Sequence, residues 1–584
     1  MQGGSLVGEP SIGGASNYKW IALSNTTLGV LMATIDSSIT LIAMPNIFRG
    51  IHLDPLAPGN SFYLLWMILG FLVTTSVLVV SLGRLGDIYG RVKMYNLGFV
   101  IYTLGSLLLT IDWMRYRPGA TWLIVMRLVQ GVGSAFLVAN ASAILTDAFP
   151  PNQRGMALGI NQVAGISGSF IGLVLGGLLA PINWRLIFLI SVPIGLFGTV
   201  WAYLKLEDHG LRRPAPIDWV GNVTFAVGLV LVMLGVTGGI QPYRSAPMGW
   251  GNPIVIGEIA AGAAFLAGFL YAETKVANPM FRIPLFRIRG FISGTASTFL
   301  VAVARGGLMF MMIIWLQGIW LPLHGFNFQS TPLWAGIYML PLTMGFLIAG
   351  PISGYLSDRF GTRLFATLGP LGTAAAFILL ELLPVDFAYP DFAAILLLSG
   401  LSQGIFAAPN RASVMNSLPP EHRGAGGGMN STFQNSAQVF SIGIFFSLMI
   451  AGLASVLPRA MSSGLIIHGV PSAMAERIAH LPPVSILFSA FLGYNPVKTL
   501  LGAAELSKLS VANLNALTGR GFFPHLIAAP FSTGLHEAFS FAIAACLGAA
   551  ITSWMRGKRT PASKSASQAV QVPATGVVVD IPLD

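Results

Sequence analysis

Gly83-Arg84-Leu85-Gly86-Asp87-Ile88-Tyr89-Gly90-Arg91-Val92-Lys93 lies between two long apolar runs of the chain. Gly354-Tyr355-Leu356-Ser357-Asp358-Arg359-Phe360-Gly361-Thr362-Arg363 lies between two others. Both follow the spacing G-x-L-x-D-x-x-G and both fall in a tight connection. Glycines at such spacing let the chain turn sharply and let helix ends approach closely. The basic residues hold the connection on one side of a membrane, and the acid accepts hydrogen bonds from a helix end or pairs with a neighbouring arginine. One such segment is a common turn; two in corresponding places mark a duplication. Gly83, Asp87, Gly90 and Arg91 in the first copy, with Gly354, Asp358, Arg359, Gly361 and Arg363 in the second, are therefore candidate gating loops.

The runs on either side define the class. Of 584 residues, 54% are hydrophobic and 9% are charged, against about 25% charged in a soluble domain. A bilayer core about 30 Å thick takes about 20 apolar residues per helix. Helices are expected at 19–47, 61–82, 94–112, 121–146, 155–181, 186–206, 217–239, 252–271, 291–317, 334–356, 364–383, 391–417, 425–453 and 532–555, fourteen in all. Placed around the repeat, they give an all-α polytopic membrane protein made of two six-helix pseudo-repeat bundles, 19–206 and 284–557, with two inserted helices in 207–283. Residues 1–18 and 558–584, rich in small and polar residues, read as disordered tails. Residues 454–531 are fairly apolar, but Asn495, Pro496 and Lys498 break the stretch that looks most like a fifteenth span. They are read as an extracytoplasmic hairpin or an interfacial helix, with room for a partner protein.

Fourteen spans put both termini on one side. With that side inside, the cytoplasmic segments carry nineteen Lys and Arg, whereas the short outer loops carry only Arg49, Arg115, Arg117, Arg185 and Arg244. This asymmetry predicts cytoplasmic termini in a cell inner (plasma) membrane. The net charge of +11 is thus a topology signal, and no nucleic-acid partner is expected. The single cysteine, Cys546, excludes a disulfide scaffold. No phosphate-binding loop is present, and the histidines lack ligand spacing, so no nucleotide, metal or other cofactor is expected.

Four further segments carry a resemblance. Ile35-Asp36-Ser37-Ser38-Ile39-Thr40 with Ala43-Met44-Pro45-Asn46-Ile47 resembles a first-helix pattern, L-D-x-T-I-V-x-x-A-L-P-x-I. Arg127-Leu128-Val129-Gln130-Gly131-Val132-Gly133 resembles a fourth-helix pattern, and Asn183-Trp184-Arg185 with Phe188, Pro193 and Gly195 the entry to a sixth helix. Together with the paired loops they resemble the major facilitator superfamily, and the inserted helices resemble its fourteen-span drug:proton antiporter branch, over roughly residues 20–450 and the last helix. Two positions depart. Ile88 stands where an arginine usually follows the loop acid, and Leu173 replaces the proline of the fifth-helix motif, in Gly172-Leu173-Val174-Leu175-Gly176-Gly177. That proline is associated with export, so its absence bears on direction.

The resemblance implies proton-coupled export of hydrophobic or amphipathic small molecules, multidrug efflux by alternating access, with a proton gradient as the energy source and no enzymatic activity. The alternatives are export of one endogenous compound (a lipid precursor, siderophore or antibiotic) and a non-transporting receptor or scaffold on the same fold. A monomer in contact with lipid, substrate and protons is expected. A charge at the bilayer centre costs at least about 2.5–3.5 kcal/mol unless paired or facing water, so Asp36 and Arg127 are expected in proton coupling or, alternatively, in a structural ion pair. Arg305, Gln130, Gln317, Gln403, Asn410, Gln434 and Gln438 are candidates for lining the substrate cavity, or for interhelical hydrogen bonds. Gly168, Gly172, Gly176 and Gly177 read as a helix-packing motif.

Overall fold

A computed structural model of the chain describes residues 12–150, 153–208, 218–244, 246–276, 278–419, 422–493 and 495–556. Fourteen of its helices are long and apolar enough to cross a membrane. They are α1 (Asn17–Gly50), α2 (Asn60–Tyr89), α3 (Arg91–Thr110), α4 (Tyr116–Ala148), α5 (Met156–Leu179), α6 (Leu186–Lys205) and α7 (Trp219–Gly239), followed by α8 (Pro253–Glu273), α9 (Arg289–Leu323), α10 (Thr331–Ser357), α11 (Thr362–Leu382), α12 (Tyr389–Asn416), α13 (Gly426–Ile467) and α14 (Phe522–Trp554). An even number of crossings brings the start of α1 and the end of α14 to one face.

The expected spans and the observed helices agree in number and order. The first helix begins at Ile12, so it takes in residues that the sequence reading left to a tail. Residues 1–11 and 557–584, where the rest of both tails was expected, lie outside the described residues, as does 209–217 of the connection to α7.

The repeat is visible in backbone geometry. α2 meets α3 at Gly90, with φ 109° and ψ 127°, and the helix of α10, which runs on to Phe360, meets α11 at Gly361, with φ 88° and ψ 145°. Both values lie where side-chain-bearing residues are strongly disfavoured. A single glycine therefore reverses the chain at matching points of the two halves. In the first half, α4 packs on α2 and α3, and α1 on α5; in the second, α12 packs on α10 and α11, and α14 on α11 and α13. The inserted helices α7 and α8 pack on each other, and α7 bridges the halves by touching α2 and α13. Ser61 on α2 donates to Gln241 at 2.7 Å, and Trp66 Nε1 donates to Thr237 at 3.2 Å.

The segment 454–531, expected as a hairpin or an interfacial helix, is built largely of helices. α13 continues to Ile467 and α14 starts at Phe522, so both helices rise past the membrane-length portion. Between them run short helices Ser472–Ala479, Pro483–Phe491, Val497–Leu506 and Val511–Thr518. Every residue of Pro483–Phe491 is buried. Phe491 lies 5.8 Å from Phe310 of α9, and Phe488 5.6 Å from Phe446 of α13. A mostly apolar sequence that is too short to span a bilayer finds burial in protein instead.

Candidate transport site

α1 and α4 bring the two expected charges together. Asp36 is fully enclosed, Arg127 is 1% exposed, and the guanidinium Nη1 donates to the Asp36 carboxylate. Gln130, one helical turn beyond Arg127 and so on the same side of α4, donates from Nε2 to Asp36 Oδ1 at 3.0 Å and to Ser106 Oγ of α3 at 2.8 Å. Its carbonyl oxygen accepts from Arg127 Nη1 at 2.7 Å. Arg127 also stacks over Phe71 of α2, 4.4 Å from the ring centre. The Tyr102 hydroxyl is buried near Asp36. One ion pair thus ties together four helices of the first half, in a place where an unpaired charge would be prohibitive.

The second half repeats this theme with a cation. Arg305, midway along α9, donates to Gln403 of α12 at 3.3 Å, and Gln403 in turn donates to Ser399 at 3.1 Å. Arg305 and Arg411 sit deep among protein atoms yet retain solvent-accessible surface. Arg305 is partly exposed and Arg411 exposed, so both cations are within reach of water. Arg411 of α12 reaches across the halves to Gln162 of α5 at 2.9 Å. Gln434 and Gln438, on α13, are partly exposed. Toward the face opposite the chain ends the halves are in closer contact: Gln317 donates to the Ile42 carbonyl at 3.3 Å, and a Cβ on Gly336 would lie 3.4 Å from Leu173 Cβ.

The model of the Major Facilitator Superfamily matches residues 26–442. The chain belongs to the major facilitator superfamily. A tetracenomycin C resistance and export protein of Streptomyces glaucescens is 26% identical over 98% of this chain and 97% of its own length. A riboflavin transporter of Clostridioides difficile is 29% identical over 74% of this chain and 88% of its own. Multidrug resistance protein 3 of Bacillus subtilis is 27% identical, covering 74% and 80%. Among solved structures, an inward-facing, unoccupied bacterial homologue of the human lysosomal transporter Spinster superposes with a TM-score of 0.55 at 15% identity, over 93% of this chain and 99% of that one. This last likeness concerns the fold alone. As a superfamily member the chain is a multi-pass membrane transporter and not an enzyme, and its relatives fit the drug-antiporter branch.

Within this superfamily fold the remaining expected residues separate into roles. The first loop is held by Arg91, which pairs with Asp87 at 2.8 Å and with Asp147 at 2.7 Å. Gly83 faces Ala139 of α4, and Gly354 faces Ala408 of α12, at 3.4 and 3.7 Å from a notional Cβ. Arg359 stacks on Tyr355 and Arg363 on Trp554; the Asp358 side chain lies outside the described set. Gly168, Gly172 and Gly176 press α5 against Leu31, Ile35 and Ile39 of α1 within one half. Gly177 differs, abutting Pro332 and Leu333 of α10 across the halves. Gln317 belongs to a π-helical turn, Leu316–Trp320, and its Oε1 is buried without a partner. Asn410 is buried, donating to Thr298 at 2.7 Å and accepting from Arg556.

Ser106, Tyr102 and Asp147 were missed. Tyr102 and Ser106 stand four residues apart on an apolar helix, a weak sign of a shared polar face, and Asp147 is an acid at a helix end near the loop arginine.

Proposed function

We propose that this transporter exports hydrophobic or amphipathic small molecules by proton-coupled antiport, with Asp36 as the residue that takes up and releases the proton. The observation that carries the reading is the enclosed contact of Asp36 with Arg127 and Gln130 in a membrane helix. Protonating Asp36 removes one charge of the pair and frees Arg127, loosening α1 from α4. Reopening the contact to water lets the proton leave. One charge crossing about 150 mV is worth roughly 3.5 kcal/mol, enough for a gradient of a few hundredfold in a neutral substrate at 1.36 kcal/mol per decade. The cations Arg305 and Arg411, within reach of water, suit neutral, anionic or zwitterionic amphiphiles. The protein works as a monomer in the inner membrane with both ends cytoplasmic, and it uses neither nucleotide nor metal.

The test is reconstitution in liposomes with an imposed pH gradient and a panel of lipophilic dyes. Asp36→Asn should abolish gradient-driven accumulation and keep downhill exchange; normal pumping by that variant refutes the assignment. Export of one compound is the second reading, favoured by the match to a single-antibiotic exporter along nearly the full length of both chains. Overexpression then confers narrow rather than broad resistance.

A further inference from the structure

The end of α14 gathers arginines that no carboxylate balances among the described residues. Arg556 is 9% exposed, and its guanidinium is inserted between α9 and α12: a Cβ on Gly294 would lie 3.6 Å from its Cζ, and Nη2 donates to Asn410. Among the described residues its Nε and Nη1 donate to nothing, and the buried Ser553 hydroxyl one turn earlier has no partner. Burial with no counter-charge pulls the Arg556 pKa down to about 10, the direction expected of a cation missing its anion. Arg289, exposed at the start of α9, donates from Nε to the Met555 carbonyl at 2.8 Å. Arg363, at the start of α11, stacks 3.9 Å from the Trp554 ring centre, and its Nε is buried without a partner. Trp554 and Met555 are 57% and 54% exposed, so apolar side chains border the arginines on the outside of the bundle.

Capping of the helix end explains Arg289, which meets a carbonyl. It does not explain Arg556, whose free donors reach none. Guanidinium forks match the paired oxygens of a phosphate, and basic pockets between membrane helices near the polar boundary hold anionic head groups.

We propose that Arg556, Arg289 and Arg363 form a phosphate-binding site at the membrane face where both chain ends emerge, occupied by the headgroup of an anionic phospholipid. The phosphate would take the free donors of Arg556 and Arg363, while the acyl chains lie along Trp554 and Met555. Free inorganic phosphate has the same chemistry, but the exposed apolar border argues for the lipid.

The experiment is native mass spectrometry of the full-length protein, delipidated in neutral detergent, titrated with phosphatidylglycerol, phosphatidylcholine or inorganic phosphate. The wild type should bind one phosphatidylglycerol about tenfold more tightly than phosphatidylcholine, and Arg556→Gln should erase that preference. Arg363→Gln, at a more open position, serves if the first variant does not fold, and should weaken the preference severalfold. A wild type that does not discriminate between the lipids overturns the proposal, as does discrimination that survives both substitutions. Inorganic phosphate that binds and displaces phosphatidylglycerol overturns the lipid as occupant.

Discussion

Asp36 and Arg127 face each other where neither has water to fall back on, which makes their contact measurable as a coupling. Removing one partner of a buried ion pair costs about 3–5 kcal/mol, because the other charge is left unpaired. Arg127→Gln and Asp36→Asn should therefore each lower the melting temperature in detergent, and the double variant should recover much of the loss. Strictly additive losses would mean that the two side chains do not meet. Both residues were legible in the sequence because a charge within an apolar run needs a reason. Ser106 was not, since a helical serine hydroxyl commonly bonds its own backbone, as it also does here with the Tyr102 carbonyl at 3.0 Å; nor was Tyr102, since an aromatic ring in an apolar helix reads as core. What makes Ser106 part of the site is Gln130, and that relation exists only once α3 and α4 are packed.

At the scale of elements, the two glycines that join helices differ from the glycines inside them. A Cβ at Gly361 meets no atom within 4 Å, so Gly361→Ala tests backbone strain alone, about 1–3 kcal/mol for this region of φ and ψ. Gly354→Ala is in a helix with ordinary contact to Ala408, and it should be neutral or slightly stabilising. Thermal unfolding of the two variants checks the difference; equal losses would show that crowding, not conformation, fixes the repeat. The count and order of helices were legible because apolar length is written directly in the sequence. The fate of Pro483–Phe491 was not, because the same short apolar run suits an interface or a protein interior, and only contact with Gly318, Phe310 and Phe446 distinguishes them. Ala490→Arg should consequently abolish monodisperse protein on size exclusion, while Ala473→Arg, on an exposed stretch of the same hairpin, should leave it unchanged. A helix lying on headgroups would tolerate both.

For the whole molecule, the question is whether the two halves part where they now touch. The first loop of the repeat, the six-two-six arrangement and the family could be read from the chain, but which face is closed depends on contacts between residues more than 150 positions apart. Leu173, the residue that stands in place of the motif proline, is at that seam: its Cβ lies 3.4 Å from where a Cβ on Gly336 would be. This separation is at the short edge of disulfide geometry, and the only native thiol, Cys546, is buried. Leu173→Cys combined with Gly336→Cys should thus cross-link on mild oxidation. If the halves rock about a central crevice, a staple on the face opposite the chain ends stops the cycle, and reduction restores it. Dye flux in liposomes, measured before oxidation, after it and after reduction, reads this directly, with each single variant as the control for crowding at the seam. Full flux through the oxidised, cross-linked protein would mean that α5 and α10 stay together throughout transport, and that the substrate takes a route the two-half geometry does not provide.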